Sequence, residues 1–300
     1  MFINETKLIK IFCDCDDFIK AIPLVTNLSC AGQIGNGKRE PTRVPSISIS
    51  EIMCILILYH HSGMKCFQYY YKEMVLKQML SYFPDAPSYS RFVELIPRAA
   101  LPMFLFVNLF RVGEATGYYF ADSKKLPVCD NLRIKSNRVF KGIAGRSKSS
   151  TGWFYGLKLF LVINQYGQVM NCWVTSANIA DNNLDMMKRI FKFLKGMVFA
   201  DKGFISQKAF EFFYQEGLKI VTTIRSNMKN KLMPMLEKVL RKKRGVIESV
   251  NDLLMTLCDI DHTRHRNPIN ALTHTLSGVA AYTYLDKLPS IMAKKFDSNL

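Results

Sequence analysis

Two short apolar runs, Tyr118-Tyr-Phe-Ala121 and Met197-Val-Phe-Ala200, each stop at an aspartate, within the matching phrases Phe-Ala-Asp-Ser-Lys and Phe-Ala-Asp-Lys-Gly. Runs of this length and composition read as buried strands, so each aspartate sits where a strand leaves the core. If the strands are neighbours, Asp122 and Asp201 emerge at one edge of the sheet, where open α/β sheets place their sites. A single aspartate after a strand is usually a turn or a cap. The pair gains meaning from what surrounds it.

From residue 118 onward the pattern is that of a mixed sheet. Residues 154–164 and 168–175 are β-rich and joined by Asn164, Gln165, Tyr166 and Gly167, which predicts a hairpin. A helix after Asp181, a strand at 197–200, a helix around 207–215 and a strand at 218–224 follow. Three strands and then alternating helices and strands describe an α/β fold, a mixed sheet flanked by helices rather than a barrel.

Residues 1–114 instead space their apolar side chains by three and four, which predicts a mainly helical N-terminal domain. Ser48-Ile-Ser-Glu51 has the form of a capping box. The helix it opens runs to His61, and Gly63 suits the left-handed position that ends it. A second helix from about Cys66 carries Phe67, Tyr70, Tyr71, Met74, Val75 and Met79 on one stripe, and Ser88 or Ser90 caps a third helix bearing Arg91. The succession resembles a helix-turn-helix able to lay a helix in a DNA groove, and it also matches a plain helical bundle. The expected organisation is a helical domain at 1–114, an α/β domain at 115–290 and a tail at 291–300.

Lysine and arginine outnumber aspartate and glutamate by 41 to 24, a net charge of +17 that draws polyanions, with nucleic acid the leading partner. The apolar runs 52–58 and 101–110 are too short to span a bilayer, no strongly basic amphipathic face stands out, and the acidic, cysteine-containing start is unlike a signal peptide. The expectation is a cytoplasmic protein with no membrane partner. The eight cysteines form no Cys-x-x-Cys pair and read as reduced thiols. Cys258, His262 and His265 lack the fourth ligand of a structural zinc site.

Two segments are strongly basic. Residues 133–153 hold Arg133, Lys135, Arg138, Lys141, Arg146 and Lys148 among glycines and serines, which predicts a mobile loop able to track phosphates. Residues 229–244 end in Arg241-Lys-Lys-Arg244, directly before a helix. A solvated charged face is the alternative for either cluster. In the helix after Arg244, residues 247, 250, 254 and 257 make an apolar stripe with Glu248 at its border, so Glu248 can face the sheet. Arg244, four residues earlier, lies on the same side and could orient that carboxylate or hold a phosphate, while Asp252 is the rival acid one turn on. Mg²⁺ and Mn²⁺ take oxygen ligands and bind through a few carboxylates plus substrate phosphates. Three acids among basic segments therefore point to metal-assisted phosphoryl transfer on nucleic acid.

The order and surroundings of these acids resemble the Asp-Asp-Glu (DDE) transposases of bacterial insertion sequences. The resemblance rests on Tyr119-Phe-Ala-Asp-Ser-Lys, Ser150-Thr-Gly-Trp-Phe-Tyr-Gly-Leu-Lys158, Phe199-Ala-Asp-Lys-Gly-Phe204 and Arg244-Gly-Val-Ile-Glu248, and covers about residues 115–285. It implies a ribonuclease H-like catalytic domain, with Asp122, Asp201 and Glu248 as catalytic residues holding two Mg²⁺ or Mn²⁺ ions. It also implies Arg244 as an accessory arginine, Trp153 and Lys158 near DNA, and a homodimer or larger assembly on element ends and target DNA in the bacterial nucleoid. With the basic clusters, the expected DNA contacts are Arg138, Lys141, Arg146, Lys148, Trp153, Lys158, Arg241, Lys242, Lys243 and Arg244. Trp153 would stack on an unpaired base at the cleaved end or lie in the strand core. The segment His262-Thr-Arg-His-Arg266 reads as a basic loop. The chain departs from the wider group at Arg241, where a tyrosine is common, at Met255, where a lysine is common, and at Phe160, where a histidine is common. The expected function is metal-dependent DNA end cleavage and strand transfer. The alternatives are a non-catalytic DNA-binding protein, either a repressor or an inactivated transposase, and a ribonuclease H-like nuclease that cuts without joining.

Overall fold

The computed structural model describes residues 4–22, 45–149, 152–223, 234–261 and 265–291. The chain divides into two compact units: Met1–Phe110 with Leu254–Tyr284, and Arg111–Leu253 with Leu285–Leu300.

The described part of the first unit is helical. Helix Ile49–His61 is apolar on every side and buried almost throughout, which places it at the centre of the unit. It opens on the predicted capping box: Glu51 N donates to Ser48 Oγ at 3.1 Å and Ser48 N to Glu51 Oε2 at 2.7 Å. Helix Glu5–Ala21 lays Leu8, Ile11, Cys15, Phe18 and Ile19 against it. The tyrosine-rich stripe is core, with Tyr70, Tyr71, Met74, Val75 and Met79 all buried, although the helix continues as a π-helix over Tyr71–Gln78. The third helix, Tyr89–Leu95, presents Arg91 on its exposed side, paired with Glu94. Helical geometry persists over Tyr89–Phe110, long and apolar enough by composition to cross a membrane; half of its most apolar window is buried, and it packs on helix Pro268–Tyr282 as a core element does.

Helix Pro268–Tyr282, in the stretch expected within the α/β domain, lies in the first unit. Residues 270–282 are almost all buried, so the helix needs neighbours on every side, and it finds them among the helices of the first unit rather than on the sheet.

The second unit is built on six strands: β1 Tyr118–Cys129, β2 Gly145–Ser149, β3 Gly152–Asn164, β4 Val169–Ser176, β5 Gly196–Ala200 and β6 Leu218–Thr222. Their order is β2-β3-β1-β5-β6, with β4 also paired to β3. Strand β3 pairs antiparallel with β2 through Gly152–Gly156, with β4 from Leu157 onward, and with β1 along its other side. Strands β5 and β6 then add parallel to β1. An antiparallel meander extended by two parallel strands beyond the first, with helices against it, is the ribonuclease H-like mixed sheet.

One face of this sheet carries Tyr119, Ala121, Phe160, Val162, Val198 and Ala200, packed against Met186, Met187 and Ile190 of helix Leu184–Ile190 and Ala209 and Phe213 of helix Gln207–Gln215. Asn183 and Ser206 cap these helices by accepting from Met186 N and Ala209 N. Gly156 is required where β3 crosses β1, because a Cβ there would overlap the Leu126 carbonyl oxygen.

Two expectations are corrected. Strand β1 does not stop at Ala121 but runs to Cys129, because β3 pairs with it beyond the point where β5 ends. The segment 133–153 is not a free loop, since it contains β2 and is tied down by buried Phe140, whose carbonyl accepts from Tyr155 Oη at 3.2 Å.

Candidate catalytic site

The parallel register of β1 and β5 sets Phe120 beside Phe199 and Ala121 beside Ala200. Strand alternation turns both alanines into the core and both phenylalanines to the opposite face, where their rings stack at 5.5 Å. Asp122 and Asp201 follow in the same phase as the phenylalanines, so the two carboxylates share a face at the end of the β1/β5 ladder. Asp201 leaves the sheet and opens the turn Lys202–Phe204, with Thr223 Oγ1 donating to its Oδ1 at 3.4 Å. Asp122 stays within β1, opposite Leu161 of β3.

Burial pushes the Asp122 carboxyl up to about 6; the Arg244 guanidinium and the Ser123 backbone N–H oppose the shift, and the nearby charges of Asp201 and Asp181 add to it. Its Oδ2 accepts from Asn251 Nδ2 at 2.9 Å, and its Oδ1 lies 3.8 Å from Arg244 Nη1. Arg244 also donates through Nη2 to Glu248 Oε1 at 2.8 Å. The arginine thus spans the half-buried aspartate and the more exposed glutamate, both on or facing helix Gly245–Thr256.

Among the described residues no three Asp, Glu, His or Cys side chains are gathered closely enough to hold one metal ion. Asp122 and Asp201 nonetheless suit a hard divalent cation. They offer oxygen donors only, Asp122 is short of water, and the charges of Asp201 and Asp181 work against its ionisation, so a cation would relieve both strains. Glu248 stands apart from the pair, held on Arg244. Asp252 is 74% exposed and 3.7 Å from Lys124.

The family described as "Transposase DDE domain" matches residues 112–268, more than half of the chain. The chain belongs to that family. The matched span contains all three acids, Arg244 and the six strands of the transposase. A solved chain described as a piggyBac transposase synaptic complex with hairpin DNA is 13% identical, with a TM-score of 0.47, covering 92% of this chain and 73% of its own. No curated protein matches the sequence.

The expected DNA contacts fall into separate places on the transposase. Arg146 and Lys148 are exposed on β2, directly opposite Tyr155 and Trp153 on β3. Trp153 is 52% exposed, with the Arg146 guanidinium 4.8 Å from its ring centre, so it is no core tryptophan. Eight residues of extended β3 separate it from Leu161, the partner of Asp122, roughly 26 Å at ~3.3 Å per residue. Arg138 and Lys141 are exposed on the turns before β2. Lys242 and Lys243, with Gly245 and Ser249, line an open depression of about 390 Å³ where the glutamate helix begins.

Lys158 is held by contacts within the chain. Its Nζ donates to Ile179 O at 2.8 Å and Asp181 Oδ1 at 2.9 Å, and the side chain is 13% exposed. It braces the segment after β4. The sequence reading missed Asn251 and Asp181. Asn251 was hidden in plain view as a polar residue on the buried stripe Ile247, Val250 and Leu254; Leu257, expected on that stripe, is 46% exposed because the helix ends at Thr256. Residues 229–233 of the second basic cluster, Ser150-Thr151, His262 to Arg264 and the end of the tail lie outside the described residues. So does Cys30, while the described cysteines are free thiols.

Proposed function

We propose that this transposase cuts the ends of an insertion sequence and joins them to target DNA, using a metal-dependent site formed by Asp122, Asp201 and Glu248. The observation that carries this reading is the parallel pairing of β1 and β5, which brings together the strands that lead into Asp122 and Asp201, with Arg244 linking Asp122 to Glu248. Mg²⁺ or Mn²⁺ ions at such a site supply charge that stabilises the attacking and leaving oxygens of an in-line displacement at phosphorus.

The residues divide the remaining work. Asp122 and Asp201 fix the position of the charge on a rigid sheet. Arg244 has a buried Nη1 without a hydrogen-bond partner, suited to a phosphate oxygen, and drawing it to a phosphate would release Glu248 toward the aspartates. The β2/β3 ribbon and the Lys242/Lys243 depression neutralise phosphates flanking the cut. A duplex running from the acids to Trp153 spans about 7–8 base pairs at ~3.4 Å each, so the ribbon grips DNA inside the end rather than the end itself.

The position of Glu248, on Arg244 and away from the two aspartates, is what favours the non-catalytic alternative. The deciding experiment incubates a labelled element-end duplex with the protein and Mg²⁺ or Mn²⁺, beside Asp122→Asn, Asp201→Asn and Glu248→Gln. Nicking and joining that need metal and vanish in all three variants are expected. Binding with no cleavage under either metal would leave a DNA-binding protein, and cleavage with no joined product would leave a nuclease.

A further inference from the structure

We propose that Asn251 is a third oxygen ligand to the cation held by Asp122 and Asp201, an inference that rests on reading that pair as metal-binding. Asn251 is 2% exposed, on the buried stripe of helix Gly245–Thr256, where an aliphatic side chain would pack without polar cost. Its Nδ2 donates to Asp122 Oδ2 at 2.9 Å, while its Oδ1 is buried with no hydrogen-bond donor. An amide half satisfied in a dry site is unfavourable, and something must compensate for it.

A half-turn about the terminal side-chain bond exchanges the two ends of the amide. It would set an oxygen about where Nδ2 is now, some 2.9 Å from the Asp122 carboxylate. Two acceptors at that separation repel unless a cation lies between them. Adjacent ligands of an octahedral Mg²⁺, with metal–oxygen distances of ~2.0–2.1 Å, are themselves about 2.9 Å apart. The spacing that serves as a hydrogen bond without metal is therefore the spacing of two neighbouring ligands with it.

Helix geometry supports the assignment. Glu248 lies three residues earlier, 60% exposed and held by Arg244, and no three-carboxylate group forms among the described residues. Asn251 already touches Asp122. It completes a set of protein oxygens without adding a third negative charge to a half-buried site where the charges of Asp201 and Asp181 already act against that of Asp122.

Calorimetric titration of the full chain with Mn²⁺ tests this, using the wild type, Asp122→Asn, Asn251→Leu and Asn251→Cys. Binding is expected in the wild type and not in Asp122→Asn, with Asn251→Leu weaker by about tenfold or more. Asn251→Cys should shift the preference for Cd²⁺ over Mn²⁺ by about tenfold relative to the wild type, since a thiolate selects the softer ion; a hydrogen-bonding or packing role would not move that ratio. Wild-type Mn²⁺ affinity in Asn251→Leu, or an unchanged Cd²⁺/Mn²⁺ ratio in Asn251→Cys, overturns the inference alone. Equal Mn²⁺ titrations of wild type and Asp122→Asn overturn the reading of the aspartate pair and this inference with it. If Asn251→Leu does not fold, the ion ratio of Asn251→Cys decides.

Discussion

Asp122 concentrates the physics of the site. Its carboxyl is raised to about 6 by burial, so the folded protein holds this proton to a higher pH than the unfolded chain does. The contribution to stability is full below the ordinary carboxylate pKa near 4 and is lost as pH rises through about 6. In chelator at pH 7.5, Asp122→Asn should therefore unfold at a higher temperature than the wild type, by the equivalent of about 2 kcal/mol. The two proteins should melt alike near pH 4; a wild type equally stable or more stable at pH 7.5 would contradict the burial argument. The aspartates were legible in the sequence because a period of two and a repeated Phe-Ala-Asp phrase leave little freedom once two strands run parallel. Asn251 was not, because nothing in a sequence tells a buried asparagine on an apolar stripe from a surface one until its partner from β1 is known.

At the scale of elements, the β2/β3 ribbon is the feature that sequence reasoning saw as charge and missed as structure. Its alternation was present in Arg146-Ser-Lys148, but the surrounding glycines, serines and basic residues looked like a loop, and only pairing with β3 gives the segment a fixed face. That face should act in DNA binding and not in metal binding. Trp153→Ala is expected to weaken binding to an element-end duplex about five- to thirtyfold in fluorescence anisotropy while leaving Mn²⁺ titration unchanged. Arg146→Ala should lower the salt dependence of that binding by about one counterion. Unchanged affinity in Trp153→Ala would remove the ribbon from the interface. Lys158→Ala should behave oppositely, losing thermal stability through the broken Asp181 and Ile179 contacts with little change in DNA affinity; a large affinity loss at constant stability would restore it as a DNA contact.

For the whole molecule, the order of strands and helices from 118 to 222 apart from β2 was readable because hairpin, strand and helix signals follow one another there. Membership of helix Pro268–Tyr282 was not, since a helix buried on all sides does not announce which neighbours bury it. If the assembly of two or more chains on paired ends that the resemblance implies is formed, sedimentation with element-end DNA should show at least two protomers, and monomers alone on that DNA would rule it out.

The proposed role of the aspartates at the end of the β1/β5 ladder is both cutting and joining. It is tested most directly by strand transfer from a pre-cleaved element end, bearing a free 3′-OH, into plasmid DNA in Mn²⁺. Joined product is predicted with the wild type, and a loss of at least about a hundredfold with Asp122→Asn and with Asp201→Asn. Joining at the wild-type rate by either variant, or none by the wild type under Mg²⁺ or Mn²⁺, would rule out this role for the pair.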